Sequence, residues 1–198
     1  MTAPKLSVIV PAFNHEAYIV AALHSVLAQT LGDLELIVID DASRDGTWDA
    51  IQSIRDPRLR ALRHEHNQGA HATLNEGLGL ARGDYLAILN SDDAFHPERL
   101  ERMVSALGNT PHLAFSDVAF IDGDGQPAPD HERARDYAAA STLCAAQPPA
   151  SWLLTSNLAI TTSNFVFPRA LLRQIGDFSD LRYTHDWEWA LRASATEA

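Results

Sequence analysis

The chain has a single cysteine, Cys144, and a single lysine, Lys5, among its 198 residues. One thiol cannot form an internal disulfide, so the cysteine content points to the reducing cytoplasm. Cys144 lies in an Ala-rich segment without an activating neighbour and is expected to be inert. No Lys/Arg cluster offsets the formal net charge of -11, which argues against a nucleic-acid backbone as partner. No apolar run approaches the roughly 20 residues that span a bilayer. The opening "MTAPKLSVIVPAF" lacks the basic region and long apolar core of a signal peptide. Membrane contact, if any, is expected to be peripheral, at the inner face. The sequence also lacks a Gly-Lys-Ser/Thr phosphate loop and a GxGxxG after its first strand, which argues against a P-loop NTPase and a dinucleotide-binding oxidoreductase. His64, His66 and His71 have neither a thiolate nor a ligand spacing that suits zinc.

The chain does carry short β-rich runs alternating with helical periodicity. "KLSVIVPAF" and "LELIVIDDAS" read as buried strands, Arg60-Ala61-Leu62 as a third and short one, and "YLAIL" as a fourth. Between them "NHEAYIVAALHSVLAQT", "SRDGTWDAIQSI" and "NQGAHATLNEGLGLA" read as helices, the first with Asn14 as N-cap. "HPERLERMVSALG" is a further amphipathic helix. "LAFSDVAFIDGDGQPA" reads as a strand and hairpin turning at Asp122-Gly123-Asp124-Gly125. The Pro- and Ala-rich residues after Gln126 read as a surface segment with some helix, after which "TTSNFVFP" and "RALLRQIG" resume the pattern. This order predicts one α/β domain over residues 1–198. Its central sheet is mainly parallel and flanked by helices, with a smaller mixed β region in the second half.

In open α/β sheets, ligands bind beyond the carboxyl ends of the strands. Pro11-Ala12-Phe13-Asn14 follows the first strand, Asp40-Asp41 the second, and Asp92-Asp93 the fourth. Adjacent acids repel unless a cation compensates them. Hard divalent ions such as Mg²⁺ or Mn²⁺ take one or two carboxylates and complete their shell with substrate phosphates. One acid of a pair can hold the ion while its neighbour, on the opposite face, holds another part of the ligand. Helix capping near Pro97 and turn chemistry at Asp40-Asp41 explain the same residues one pair at a time. Two pairs at two strand ends favour the ligand.

Four segments, in order, resemble the family 2 glycosyltransferases of the GT-A, Rossmann-like fold. They are "SVIVPAFNHEAYIVAALHSVLAQT", "LELIVIDDASRDGT", "NQGAHATLNEGLGLARGDYLAILNSDDAFHPERLERMV" and "THDWEWALR". The likeness is strong from Leu6 to Met103 and returns from Thr161 to Arg192. It implies a nucleotide-sugar donor (a UDP-sugar favoured), a divalent metal (Mn²⁺ or Mg²⁺) and inversion at the anomeric carbon. By position, Asp93 matches the metal ligand of the DxD-type motif, and Asp92 the acid that contacts ribose or sugar. Asp40 and Asp41 match the base-recognition position, Pro11 and Phe13 the loop against the nucleobase, and Asn67 and Gly69 a loop near the nucleotide. Asp186 matches the general base. His185 stands where the family has an acid, a departure that bears on acceptor recognition. Trp187 and Trp189 line a sugar subsite or belong to the core; Glu188 is a solvated neighbour or an acceptor contact.

The implied function is transfer of a sugar to an acceptor hydroxyl on a saccharide or lipid-linked molecule, as in cell-surface polysaccharide biosynthesis. Residues 1–105 form the donor-binding half and 106–198 the acceptor-side half, expected to be short at its C-terminus. The alternatives are a non-catalytic or truncated nucleotide-sugar-binding domain and a metal-dependent nucleotidyltransferase. The latter would call for a basic phosphate loop, and "VPAFNHEAY" has no Lys or Arg.

Overall fold

The computed structural model describes residues 3–144, 151, 153–154, 156–157, 159–181 and 183–197. Strands β1 (Leu6–Ala12), β2 (Leu34–Asp40), β3 (Leu59–Arg63) and β4 (Tyr85–Ile88) run parallel, and β5 (Val166–Pro168) lies antiparallel against β4. The sheet order is β3-β2-β1-β4-β5. Around it lie α1 (Ile19–Leu27), α2 (Thr47–Ser53), α3 (Ala70–Leu80), α4 (Arg99–Leu107), α5 (Glu132–Cys144), α6 (Arg169–Ile175) and α7 (His185–Ser194).

The central strands are apolar along their length because both faces are covered. Val8, Val10, Leu36 and Val38 point to one side, where Ile19, Leu23, Val26, Ile51, Leu100 and Val104 pack on them. Ile9, Ile37, Ile39, Leu86 and Ile88 point to the other, under α3, α6 and α7. On that side Trp189 is fully buried, stacked on Phe178 at 5.0 Å and tilted against Phe167 at 4.6 Å between ring centroids. Trp189 is therefore core rather than a sugar platform. Gly77 lets α3 lie close on β1, since a Cβ there would come within 2.5 Å of Ile9 Cγ2.

Two local expectations change, the hairpin and the Asn14 cap, and the helix expected after Gln126 takes definite bounds. The hairpin after α4 reduces to two isolated bridges, Ala114 to Val166 and Ile121 to Pro127. Its turn forms, with Asp122 N–H donating to the Gln126 carbonyl at 2.8 Å, but Ile121 stays 47% exposed. Without an apolar face to bury, no ladder extends. The segment after Gln126 holds a regular helix, α5. Asn14 does not cap α1, which starts five residues later behind Tyr18 without a side-chain cap.

Candidate active site

Two tight turns carry the ends of β1 and β2. Asn14 and Ala42 both adopt positive φ, 55° and 61°. The turns are laced together: Asn14 Oδ1 accepts from the Arg44 N–H at 2.8 Å, and the Asn14 N–H donates to Ser43 Oγ at 2.9 Å. Positive φ in a non-glycine residue is costly and persists where the surroundings dictate it. The interlocked turns hold Phe13, 41% exposed, at a cleft of about 650 Å³ that is also lined by Arg44, Arg63, His64, His66 and Asn67. Pro11 lies within β1, in register with Ile39 of β2.

Asp41 is a saturated carboxylate. Oδ1 accepts from the Gln68 N–H at 2.7 Å and Oδ2 from the Gly69 N–H at 2.9 Å. Asn67 Nδ2 donates to the Asp41 carbonyl at 3.1 Å. Gly69, at φ 88°, turns the chain into α3. His64 Nδ1 lies 2.7 Å from Asp41 Oδ1, and its Nε2 lies 2.9 Å from Glu76 Oε2. Carboxylates only accept, so an imidazolium satisfies both contacts. Burial opposes that charge, but the two carboxylates prevail and raise the imidazole above its ordinary 6.5. Asp40 is fully buried, with Arg63 Nε 3.0 Å from Oδ2, yet neither oxygen receives a directed hydrogen bond.

The acids after β4 are arranged differently. Asp92 is exposed and Asp93 half-buried. Helix α4 begins beyond them with Glu98 at its N-cap and no side-chain cap, so neither acid caps it. Asp93 Oδ2 accepts the Ser163 hydroxyl at 2.6 Å. Burial pushes the Asp93 carboxyl above its usual range and the neighbouring Asp92 charge adds to this. The Ser163 hydroxyl, Asn90 and His15 pull in the opposite direction. His15 Nδ1 is 2.7 Å from Ser91 Oγ, which brings the β1 turn to the β4 end.

Asp186 sits in the first turn of α7 behind Thr184, with no side-chain cap at that helix, and its Oδ2 accepts from Asn157 Nδ2 at 3.1 Å. His185 Nδ1 faces the Leu181 carbonyl at 3.1 Å. Trp187 is half-buried, its indole N–H donating to the Leu153 carbonyl at 2.6 Å. Glu188 pairs with Arg192 one turn later at 2.5 Å, and that bond holds its carboxyl below the usual range. Cys144 ends α5; its side chain lies outside the described residues.

Among the described residues no three His, Cys, Asp or Glu side chains gather to cage a metal ion. What exists is an all-oxygen set, Asp93 beside Asp92. That set suits a hard cation drawing its remaining ligands from phosphate and water. Four residues to which the sequence assigns no role also shape the site: Arg63, Asn90, Asn157 and Ser163. Arg63 was recoverable, because parallel pairing of β2 with β3 sets it opposite Asp40. Asn90 is local to its acid, its carbonyl accepting from the Asp93 N–H at 3.1 Å, whereas Ser163 and Asn157 meet theirs only through tertiary contacts.

The family model "Glycosyl transferase family 2" matches residues 7–176. The succinoglycan biosynthesis protein ExoO of Rhizobium meliloti is 38% identical over 123 residues, 61% of this chain and 35% of that protein. An Escherichia coli protein named UDP-Glc:alpha-D-GlcNAc-diphosphoundecaprenol beta-1,3-glucosyltransferase WfaP is 35% identical over 99 residues, 50% of this chain and 39% of its own. The crystal structure of S. aureus TarS 1-349 in complex with UDP-GlcNAc superposes with a TM-score of 0.71 at 25% identity, covering 96% of this chain and 53% of that one. The chain thus spans about a third to a half of the length of the relatives it matches. No helix among the described residues is long and apolar enough to cross a membrane.

Proposed function

The chain belongs to glycosyl transferase family 2, and on that premise we propose that it is an inverting transferase moving a sugar from a UDP-sugar to an acceptor hydroxyl. The donor half is residues 1–105 and the acceptor side 106–198, in one domain. The nucleobase enters the cleft lined by Phe13, with Pro11 two residues back in β1, next to the loop that Asp41 braces through Asn67 and Gly69. Asp92, exposed beside Asp93, faces ribose or sugar. Asp93 holds a divalent cation, Mn²⁺ or Mg²⁺. When bound, such an ion offsets the negative charge that gathers on the departing diphosphate.

A sugar hydroxyl is a weak nucleophile and needs a carboxylate within hydrogen-bond reach to take its proton. Asp186 has this role. The acceptor oxygen attacks the anomeric carbon as the carbon–phosphate oxygen bond breaks on the opposite side, and the proton passes to Asp186. One displacement inverts the centre and leaves no covalent enzyme intermediate. His185, Trp187 and Glu188 border the acceptor side, the last two through side chains already tied to Leu153 and Arg192.

The reading is carried by one observation. The chain leading into β5 reaches Asp93 through Ser163, and Asp186 through Asn157. Two acids far apart in sequence are thereby held by a single length of backbone. The names of the relatives suggest a UDP-sugar donor and a saccharide or polyprenyl-diphosphate acceptor; we place the enzyme itself in the cytoplasm, with any membrane contact peripheral at the inner face. The test is two-part. UDP, GDP, dTDP and CDP are titrated calorimetrically with Mn²⁺ and again with EDTA; UDP is expected to bind tightly only with the metal. Asp186→Asn is then expected to keep that binding while losing transfer from UDP-Glc to a polyprenyl-diphosphate sugar. Equal transfer by this variant would remove Asp186 as the base, and no nucleotide binding under either condition would remove the donor site.

A further inference from the structure

Ser163 stands out as a polar residue that the donor, metal and base assignments leave unused. It is buried, in a single 3-10 turn (Thr162–Asn164) just before β5. Its hydroxyl makes two bonds to one loop. Oγ accepts the Asn90 N–H at 2.8 Å, and its proton goes to Asp93 Oδ2 at 2.6 Å. The Asn90 N–H takes one of the two oxygen lone pairs, and the carboxylate, which can only accept, draws the hydroxyl proton toward Asp93.

Both neighbours of Ser163 are pinned as well. On one side Thr161 Oγ1 accepts from Asn90 Nδ2 at 2.6 Å and Thr162 Oγ1 donates to Asn90 Oδ1 at 2.9 Å. On the other, Asn164 takes two bonds from Arg99 Nη2, at 2.9 Å to its carbonyl and 2.8 Å to Oδ1. It returns one from Nδ2 to the Ser116 carbonyl at 2.7 Å. Among the described residues Arg99 meets no carboxylate, and burial lowers its pKa to about 10. A half-buried charge placed on neutral acceptors is costly and is kept where it fixes geometry.

The approach to this turn is strained. Ile160 adopts φ 64°, and the Thr161 N–H closes a three-residue turn on the Ala159 carbonyl at 2.7 Å. Positive φ is an outlier for a β-branched residue, and such strain collects where surroundings over-determine the chain, at functional sites above all. The strain here lies three residues before Ser163 and next to the residues that grip Asn90.

We propose that Ser163 is a positioning residue that fixes the Asp93 carboxylate in the orientation that binds a divalent cation, with Asn90, Thr161, Arg99 and Asn164 holding the hydroxyl in place. This rests on the reading of Asp93 as the metal ligand. Without the hydroxyl the carboxylate loses the bond that sets its rotamer, and an ion that relies on a single well-placed acid loses its preorganised ligand.

The experiment compares the whole chain with Asp93→Ala, Ser163→Ala and Ser163→Thr. UDP affinity is measured with MnCl₂ and with EDTA, and free Mn²⁺ is followed by electron paramagnetic resonance. Ser163→Ala is expected to weaken Mn²⁺-dependent UDP binding about tenfold, the scale of one lost hydrogen bond to a charged group, with binding in EDTA unchanged. Ser163→Thr, which keeps the hydroxyl, is expected to restore most of it. A melting temperature of Ser163→Ala within a few degrees of the parent separates this effect from unfolding; the Thr variant gives the same comparison if the Ala variant melts early. Should Asp93→Ala abolish the Mn²⁺ effect while Ser163→Ala leaves it intact, the positioning role is wrong and the metal assignment stands. Should Asp93→Ala leave the Mn²⁺ effect unchanged, the metal assignment fails and the role of Ser163 fails with it.

Discussion

Two strands of one parallel sheet each end in a pair of aspartates, and the molecule treats the pairs in opposite ways. After β2, Asp41 is closed: two backbone N–H groups and an imidazole take its oxygens, and Asp40 is sealed beneath Arg63. After β4, Asp92 is exposed, and Asp93 carries one hydroxyl and a carboxyl that burial pushes upward. The difference comes from the elements that neighbour each pair. β3 brings Arg63 and His64 to the β2 end, and the loop into α3 folds back on Asp41. On its outer side β4 has only the short antiparallel β5, and the answering hydroxyl comes from the turn that precedes that strand. A dipeptide that looks like one motif twice is a structural brace at one strand end and an open acid at the other.

The comparison breaks most visibly at the brace. Asp41→Ala removes a buried carboxylate and strands His64 and two N–H groups. A loss of about 3–5 kcal/mol is expected, the scale for breaking a buried charged network; urea unfolding measures it. Asp93→Ala is expected to behave in the reverse sense. Mn²⁺-dependent UDP binding should fall at least about 100-fold, near 2.8 kcal/mol, while the unfolding midpoint moves little. Equal destabilisation by the two variants would erase the distinction.

A smaller effect sharpens the brace. Because Asp41 and Glu76 raise the imidazole of His64 in the folded chain, its contribution is complete below the ordinary 6.5 and fades as pH climbs through the raised value. His64→Gln should therefore be less stable than the parent by about 1.5 kcal/mol near about pH 6, the low end for a hydrogen bond to a charged group, and the gap should narrow as pH rises through the raised value. A gap that widens with pH would show that His64 is neutral in the fold. The smallest effect belongs to the open pair. Asp92→Asn takes away a like charge, so the Asp93 carboxyl should titrate lower, with stability almost unchanged. Carboxyl carbon shifts read by NMR report it directly.

Much of this was legible in the sequence. The apolar runs of β1 and β2 mark buried strands because both sheet faces are covered, and the acids that close such runs point to the carboxyl edge. The helical periods match the structure where one face packs on the sheet. What stayed hidden is tertiary. Nothing in "TTSNFVFP" tells that Ser163 meets Asp93 seventy residues away, because a hydroxyl one turn before a strand has no periodicity to betray its partner. The two Asp pairs also look alike in sequence, since saturation by Gln68, Gly69 and His64 depends on a loop returning in space. Trp187 and Trp189 are open in sequence to a core or a sugar-binding reading; only packing separates the sealed Trp189 from the half-buried Trp187.

The most direct test of an open Asp93 beside a closed Asp41 is to follow the free Mn²⁺ resonance as the ion is titrated into the chain at fixed UDP, in the parent and in Asp93→Asn. Relative to UDP alone, which chelates part of the ion through its diphosphate, the parent with UDP is expected to deplete free Mn²⁺ further, and the variant to add nothing to that baseline. Equal depletion by the two would mean that the ion is held elsewhere and that Asp93 is not its ligand.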